Sequence, residues 1–226
     1  LHKIFKLLYN LNFPLLKRII PSLIKRFYFL NKIQIIKLDF CTIKVDVRHS
    51  IDREIFLKGC YEKNQLNFLK KISEENKISH FFDIGANIGY YTLFFKDIKN
   101  IHAFEPNKKN FLRLKANINL NTLNVNLYNF GLSNSNSEEE IWYTDKNKMG
   151  GSAIFDKNDP ELKKYEANDI IIEKIFTKKL DDILKIKSSN ILIKIDVERH
   201  EKKVLEGMSK LIKQNDIILQ IEIGDQ

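Results

Sequence analysis

The segment FFDIGANIGYYTLFF, residues 81–95 of this 226-residue chain, leaves few folds open to it. Its first apolar run suits a buried strand ending at Asp83, and its second suits a helix beginning near Tyr90. Gly85 permits a tight turn between them, and Gly89 permits close approach of the helix to the strand or to a ligand. A strand, a tight turn and a helix in this order open a βαβ unit and predict a parallel sheet.

Strand-like and helix-like patterns continue to alternate after this turn, which predicts a Rossmann-like α/β domain with helices on both faces of a mostly parallel sheet. Such a sheet binds ligands beyond the carboxyl ends of its strands, where the strand order reverses. Residues 133–173 break the rhythm and contain the pair Gly150–Gly151, which predicts a loop or small insertion over the site. The predicted strands are 80–83, 100–105, 125–130, 191–196 and 217–223, and the predicted helices are 89–96, 108–119 and 201–213.

The N-terminal segment is strongly basic, because eight Lys and Arg residues precede the first acidic residue, Asp39. Apolar residues between these charges predict an amphipathic helix broken at Pro14 and Pro21. Two interpretations stay open. The favoured one is a helical cap that packs on the main domain, and the other is contact with an anionic membrane surface.

We therefore predict two regions, a basic extension of helices and strands over 1–50 and the α/β domain over 51–226. The extension includes a strand or hairpin at 33–47. The uncharged stretches are far shorter than the roughly 20 residues that span a bilayer, and no secretory signal is recognisable. Cys41 and Cys60 form no CxxC pair and suggest free thiols in a reducing compartment. The predicted location is cytoplasmic, at the inner membrane surface if the membrane interpretation holds.

The glycine turn also indicates the kind of ligand. A dinucleotide site requires G-x-G-x-x-G, because the second glycine lets the backbone approach a pyrophosphate. Asn87 occupies that position here, which favours a cofactor without phosphates, such as S-adenosylmethionine. Asp83, at the strand end, can accept a hydrogen bond from the amino group of that cofactor.

A second strand, in IHAFEPN, ends at Glu105 about 20 residues after the turn, the spacing at which an acid bonds ribose hydroxyls. Each motif alone has an ordinary structural explanation, a tight turn or a helix cap. Together and in this order they predict a cofactor site, with cofactor-binding residues Asp83, Gly85, Ala86, Asn87, Gly89, Glu105 and Pro106.

A third motif, ILIKIDVERHEKKVLEGM, places polar residues where a buried strand meets a helix. The predicted catalytic residues are Asp196, Glu198 and His200, with Asp196 or His200 as the base and Glu198 orienting its partner or the acceptor. His200 is equally well explained as a surface histidine. In a variant of this hypothesis, Asp196, Glu198 and Glu222 hold a divalent cation.

With DIGANIG, FEPN, KIDVE-x-HE and VLEG in this order, the chain resembles the FkbM family of methyltransferases from about Ile51 to its C-terminus. The resemblance implies S-adenosylmethionine-dependent O-methylation of a hydroxyl on a sugar of a surface glycan or on a secondary metabolite. Arg199 stands where family members usually carry Gly. The chain stops just after IEIGD, where the fold is expected to add two more strands.

The alternative to an enzyme is a basic protein that binds nucleic acid or a membrane and carries an inactive methyltransferase-like scaffold. Clustered positive charge is the footprint of such a protein. Nucleic acid is disfavoured as a partner, because the basic segment lacks a known binding motif and acidic residues surround the predicted site.

Overall fold

A computed structural model describes residues 2–11, 13–28, 32–144, 170–197 and 199–222. The chain divides into two compact units, Leu1–Asn67 and Phe68–Gln226. The predicted boundary at residue 50 stays a prediction. Glu198 and the pair Gly150–Gly151 lie outside the described residues.

The first unit contains helices and a β-hairpin. Pro14 begins the second helix, where its missing N–H costs no hydrogen bond. Pro21 lies inside that helix, so the predicted break there is wrong. The neighbouring Ile20 and Ile24 are almost completely buried, and their packing holds the helix together across the proline. The elements are α1 (His2–Asn10), α2 (Pro14–Phe27), β1 (Ile33–Lys37), β2 (Thr42–Asp46), α3 (Ser50–Lys58) and the start of α4 (Lys63–Glu75).

The second unit confirms the predicted α/β class. Its strands are β3 (His80–Ile84), β4 (Asn100–Phe104), β5 (Asn126–Tyr128), β6 (Gly131–Leu132), β7 (Ser137–Thr144), β8 (Ile170–Lys178), β9 (Asn190–Ile195) and β10 (Asp216–Ile221). Its helices after α4 are α5 (Tyr90–Phe94), α6 (Lys108–Leu120), α7 (Leu180–Ile183), α8 (Glu201–Gly207) and α9 (Ser209–Gln214).

Among the described residues, five strands form a parallel sheet in the order β10-β9-β3-β4-β5. The chain runs outward from β3 through β4 to β5, then returns to place β9 and β10 on the other side of β3. The strand order therefore reverses between β3 and β9, and the crevice beyond their carboxyl ends is where a ligand is expected.

Successive side chains along each strand point to opposite faces of this sheet. Phe82 and Ile84 of β3 belong to a buried cluster that also contains Val204, Met208 and Leu211 from the region of α8 and α9. Asp83, between them in the strand, points to the other face, where it accepts a hydrogen bond from the hydroxyl of Thr92 in α5. Helices thus cover both faces, as the sequence predicts.

Two predicted elements differ from the structure. The single helix predicted over 201–213 is two short helices, interrupted at Met208 with φ near −123°. Gly207 is the last residue of α8, and a Cβ there would lie 1.9 Å from the carbonyl oxygen of Ser133. The end of α8 therefore packs directly against the backbone of Ser133. The predicted loop at 133–173 contains strands at both ends, since β7 pairs with β8 antiparallel. Three successive glutamates in β7 disfavour a strand by propensity, and the pairing with β8 overrides that preference.

Candidate active site

The β3–α5 turn positions the site because its backbone lies against two neighbouring elements. The N–H groups of Gly85 and Ala86 both donate to the carbonyl oxygen of Phe104, 3.0 Å away in each case. Gly85 has a φ of +81°, and a Cβ there would lie 1.9 Å from the carbonyl oxygen of Asp196. A glycine is therefore required for the turn to reach the end of β9. Gly89 likewise has a φ of +87° and admits the side chain of Leu114 from α6.

Asp83 is completely buried at the end of β3. Its Oδ2 accepts a hydrogen bond of 2.6 Å from the hydroxyl of Thr92. Its Oδ1 is buried and has no hydrogen-bond partner among the described residues. Burial raises the pKa of Asp83, while the charge of Lys194 and the bond from Thr92 act in the opposite direction. A buried acceptor without a donor costs free energy, so a ligand that donates to Oδ1 would be stabilised there.

Glu105 is buried at the end of β4 and bridges two loops. Its Oε2 accepts from the backbone N–H of Asn87 at 2.8 Å, and its Oε1 accepts from that of Asn107 at 2.9 Å. Burial raises the pKa of Glu105 to about 7, although these two hydrogen bonds favour the ionised form. A carboxylate has about four acceptor positions. The two that remain suit a pair of adjacent hydroxyl donors.

Lys194 connects the predicted cofactor site with the predicted catalytic residues. Strands β3 and β9 pair with Asp83 opposite Lys194, so both side chains lie on one face of the sheet. The Lys194 Nζ lies 2.9 Å from Asp196 Oδ2 and 3.9 Å from Asp83 Oδ1. It also lies 5.0 Å from the ring centroid of Tyr91. The buried ammonium group of Lys194 therefore lies within ion-pair distance of two carboxylates. Their exposure differs, because 33% of the Asp196 side chain is exposed to solvent and only 1% of the Asp83 side chain.

His200 is placed differently from Asp196. It is buried at the start of α8, and its Nε2 lies 3.0 Å from the hydroxyl oxygen of Ser133. Burial lowers the pKa of His200, with a further contribution from the charge of Lys203. The predicted surface position of His200 is therefore wrong, although the ring is hydrogen-bonded as the structural interpretation requires. A role for His200 as the base stays a prediction. A buried ring engaged by Ser133 is less accessible to an acceptor than the partly exposed Asp196.

The other predicted residues lie in the same loops, except Glu198, which lies outside the described residues. Pro106 follows Glu105, and its carbonyl oxygen accepts from the side-chain amide of Asn129. Arg199 has a φ of +69°, a left-handed conformation that favours glycine. In the described ranges, no group of three or more His, Cys, Asp or Glu residues could hold a metal ion. Because Glu198 lies outside those ranges, the metal-assisted variant stays a prediction.

Lys194 lies in the third sequence motif but has no predicted role, and neither Thr92 nor Asn107 is among the predicted site residues. Asn107 accepts from the N–H of Asn110 to cap α6 and donates to Glu173 of β8. The signal for Lys194 was present, since Lys194 of β9 and Asp196, which directly follows the strand, are two residues apart and so share a face. Its contact with Asp83 could not be found without knowing that β9 lies beside β3.

A five-stranded parallel sheet whose strand order reverses beside β3, with helices on both faces, defines a Rossmann-like α/β domain. Residues 83–226 match the family model described as the methyltransferase FkbM domain. The chain belongs to the FkbM methyltransferase family.

A curated relative is the hexuronic acid methyltransferase AglP of Haloferax volcanii, which is 25% identical over 164 residues. The match covers 72% of this chain and 63% of that protein, so the chain spans less than two thirds of its relative's length.

Two solved structures are also similar. TehB from Haemophilus influenzae has a TM-score of 0.36 at 9% identity, covering 75% of this chain and 44% of TehB. M. jannaschii TYW2, in complex with AdoMet, has a TM-score of 0.31 at 25% identity, covering 43% of this chain and 44% of TYW2. At such TM-scores these likenesses carry no argument about fold or function.

Proposed function

We propose that this protein transfers a methyl group from S-adenosylmethionine to a hydroxyl group of a sugar, with a hexuronic acid glycan as the first acceptor to test. The observation that carries the proposal is the pair of buried carboxylates, Asp83 and Glu105, at adjacent strand ends. One of their oxygens, Asp83 Oδ1, has no donor in the described part of the chain. Membership of the FkbM family and the name of the AglP relative support the same assignment.

The residues of the site fit the proposed cofactor. Glu105 has two acceptor positions left for the two ribose hydroxyls of S-adenosylmethionine. Asp83 Oδ1 can accept a hydrogen bond from the amino group of the same molecule. Asn87 lies in the left-handed region at φ +50°, in the turn that would border the ligand. S-adenosylmethionine, when bound, supplies an activated methyl group for an oxygen nucleophile.

The chain's own contribution is to orient the acceptor and remove its proton. Asp196 is the proposed proton acceptor, because it is partly exposed at the carboxyl end of β9, beside the reversal of strand order. Lys194 holds the Asp196 carboxylate by a bond of 2.9 Å and so fixes its direction. The buried His200 would support the loop through Ser133 rather than meet the acceptor.

The alternative of a basic binding protein with an inactive scaffold is not favoured by the family assignment. A decayed site would also have no reason to keep two buried, costly carboxylates at the predicted positions.

The first test is calorimetry of the purified chain with S-adenosylmethionine and its demethylated product. Glu105→Ala is expected to weaken binding by about 1–3 kcal/mol, because the hydroxyls lose their charged acceptor. Glu74→Ala, which removes an exposed acid of α4, is the matched control and should bind like the wild type. Absence of binding to the wild-type chain would refute the proposed function, and equal affinity in a folded Glu105→Ala protein would remove Glu105 from the site.

The acceptor is tested with methyl-labelled cofactor and oligosaccharides with or without hexuronic acid. Transfer to a hydroxyl leaves an ether that survives mild alkali, whereas transfer to the acid's carboxyl group leaves an ester that does not. Alkali-stable label in the hexuronic acid is the expected result. Alkali-labile label would contradict hydroxyl transfer while leaving cofactor use intact.

A further inference from the structure

The two N-terminal helices bury only part of their apolar surface. In α2, Ile20 and Ile24 are at most 1% exposed and belong to the core of the first unit. A second row, which we call the outer apolar row, consists of Leu15, Ile19, Leu23 and Phe27. Its members are 37–67% exposed, and their spacing of four residues aligns them along one side of the helix.

Helix α1 repeats this arrangement on a smaller scale. Phe5 is buried, while Ile4 and Leu7 are 56% and 65% exposed. Scattered exposed apolar residues are normal on a soluble protein, but a continuous row of four large ones on a helix indicates a surface that binds something.

The charge around these rows identifies the partner. Residues 1–38 contain eight Lys and Arg residues and no Asp or Glu. Lys3, Arg18 and Arg26 are exposed on the same two helices as the apolar rows. A helix with an apolar row bordered by cations lies in the interface of a membrane that carries anionic lipids, with apolar side chains in the acyl boundary and cations at the headgroups. Nucleic acid explains the cations but gives exposed leucine and isoleucine side chains no favourable environment.

We propose that α1 and α2 dock this protein onto the surface of an anionic lipid bilayer through the outer apolar row and its flanking cations. None of the described helices combines the length and the hydropathy of a membrane span. The proposal is for binding at the membrane surface, because cations on the same helices flank the apolar row. The proposal concerns the first unit alone and does not depend on methyl transfer by the second.

The test is sedimentation of the full chain with vesicles of phosphatidylcholine alone or with 30 mol% phosphatidylglycerol. The wild type is expected to bind the anionic vesicles and to leave them as salt rises from 0.1 to 0.5 M, because screening weakens attraction between surface charges. Ile19→Glu with Leu23→Glu should reduce the partition coefficient at least tenfold. The control Leu112→Glu alters a leucine of α6 that is even more exposed than Ile19 and Leu23, and it should bind like the wild type.

A second variant tests the charges without touching the apolar row. Arg18→Gln with Arg26→Gln is expected to lower binding about 25-fold, since each cation near an anionic surface contributes roughly a factor of five. Circular dichroism confirms that each variant keeps its helices. Undiminished binding in both double variants, no binding by the wild type, or equal binding to neutral vesicles would overturn the proposal. So would dissociation of a dimer by Ile19→Glu and Leu23→Glu without vesicle binding, which would assign the row to a second copy of the chain.

Discussion

Lys194 illustrates how a single residue sets the properties of the site. It is almost fully buried, and such a charge is tolerated only where it is paired. Its two carboxylate neighbours differ, because Asp83 belongs to the proposed cofactor pocket and Asp196 to the proposed proton acceptor. Substitutions at these positions should therefore separate cofactor binding from turnover.

Asp196→Asn is expected to lower methyl transfer about 10²–10⁴-fold, the usual effect of removing a positioned base, while calorimetry shows nearly unchanged cofactor affinity. Lys194→Met should lower both turnover and affinity, since without the lysine's charge the pKa of the buried Asp83 rises further and ionisation of its carboxyl group becomes less favourable. Asp97→Asn alters an exposed acid and is the control. If His200→Gln abolishes transfer and Asp196→Asn does not, the base is His200.

At the scale of elements, the β3–α5 turn depends on the absence of one side chain. Gly85 combines a positive φ with contact against the backbone at Asp196, the end of β9. The two strands that border the proposed site can therefore approach only if this position is glycine. The contact is to a carbonyl oxygen, which cannot rotate away as a flexible side chain can.

Gly85→Ala is expected to destabilise the fold by about 2–5 kcal/mol. Alanine disfavours the positive φ at this position, and its Cβ would overlap the carbonyl oxygen of Asp196. Gly131→Ala is the matched control, because a Cβ there would meet Thr177 Cγ2 at an ordinary 3.4 Å and no positive φ is required. Urea denaturation measures both variants. Equal stability of the two would show that the backbone at residue 85 can relax.

At the scale of the whole molecule, Glu105 links stability to pH. Its pKa is about 7 in the folded protein, against an ordinary value of 4.5, so between these values the folded state holds a proton that the unfolded chain has released. The contribution of Glu105 to folding is therefore fully present below about pH 4.5 and is lost as pH rises through about 7. The difference corresponds to about 3 kcal/mol.

Denaturation of the wild type and of Glu105→Gln from pH 5 to 8 should show this loss as a difference between the two proteins. Cofactor affinity should change in the opposite direction, rising with pH up to about 7, because the ribose hydroxyls need the ionised carboxylate. A pH-independent stability difference between wild type and variant would show that the carboxyl group is not perturbed as the structure indicates.

The amino-acid sequence was sufficient to predict the α/β class, the strand and helix that flank the glycine turn, and the acids at the two strand ends. Those features depend on local patterns: apolar runs that form buried strands, glycines where the backbone must turn, and polar residues where a strand stops. The positions of Asp83, Glu105 and Asp196 at strand ends followed from such patterns. Whether they bind a cofactor stays a prediction.

Which of these residues are in contact depends on the packing of the folded chain. The pairing of β9 with β3 places Lys194 beside Asp83, although 111 positions separate them in the chain. The burial of His200 against Ser133 and the division of the helix near Gly207 likewise arise from contacts between distant segments. Local propensity contains no information about such contacts, because they depend on strand order and on which faces pack together. In α2, the same apolar pattern produced one buried row and one exposed row, a difference that only packing could establish.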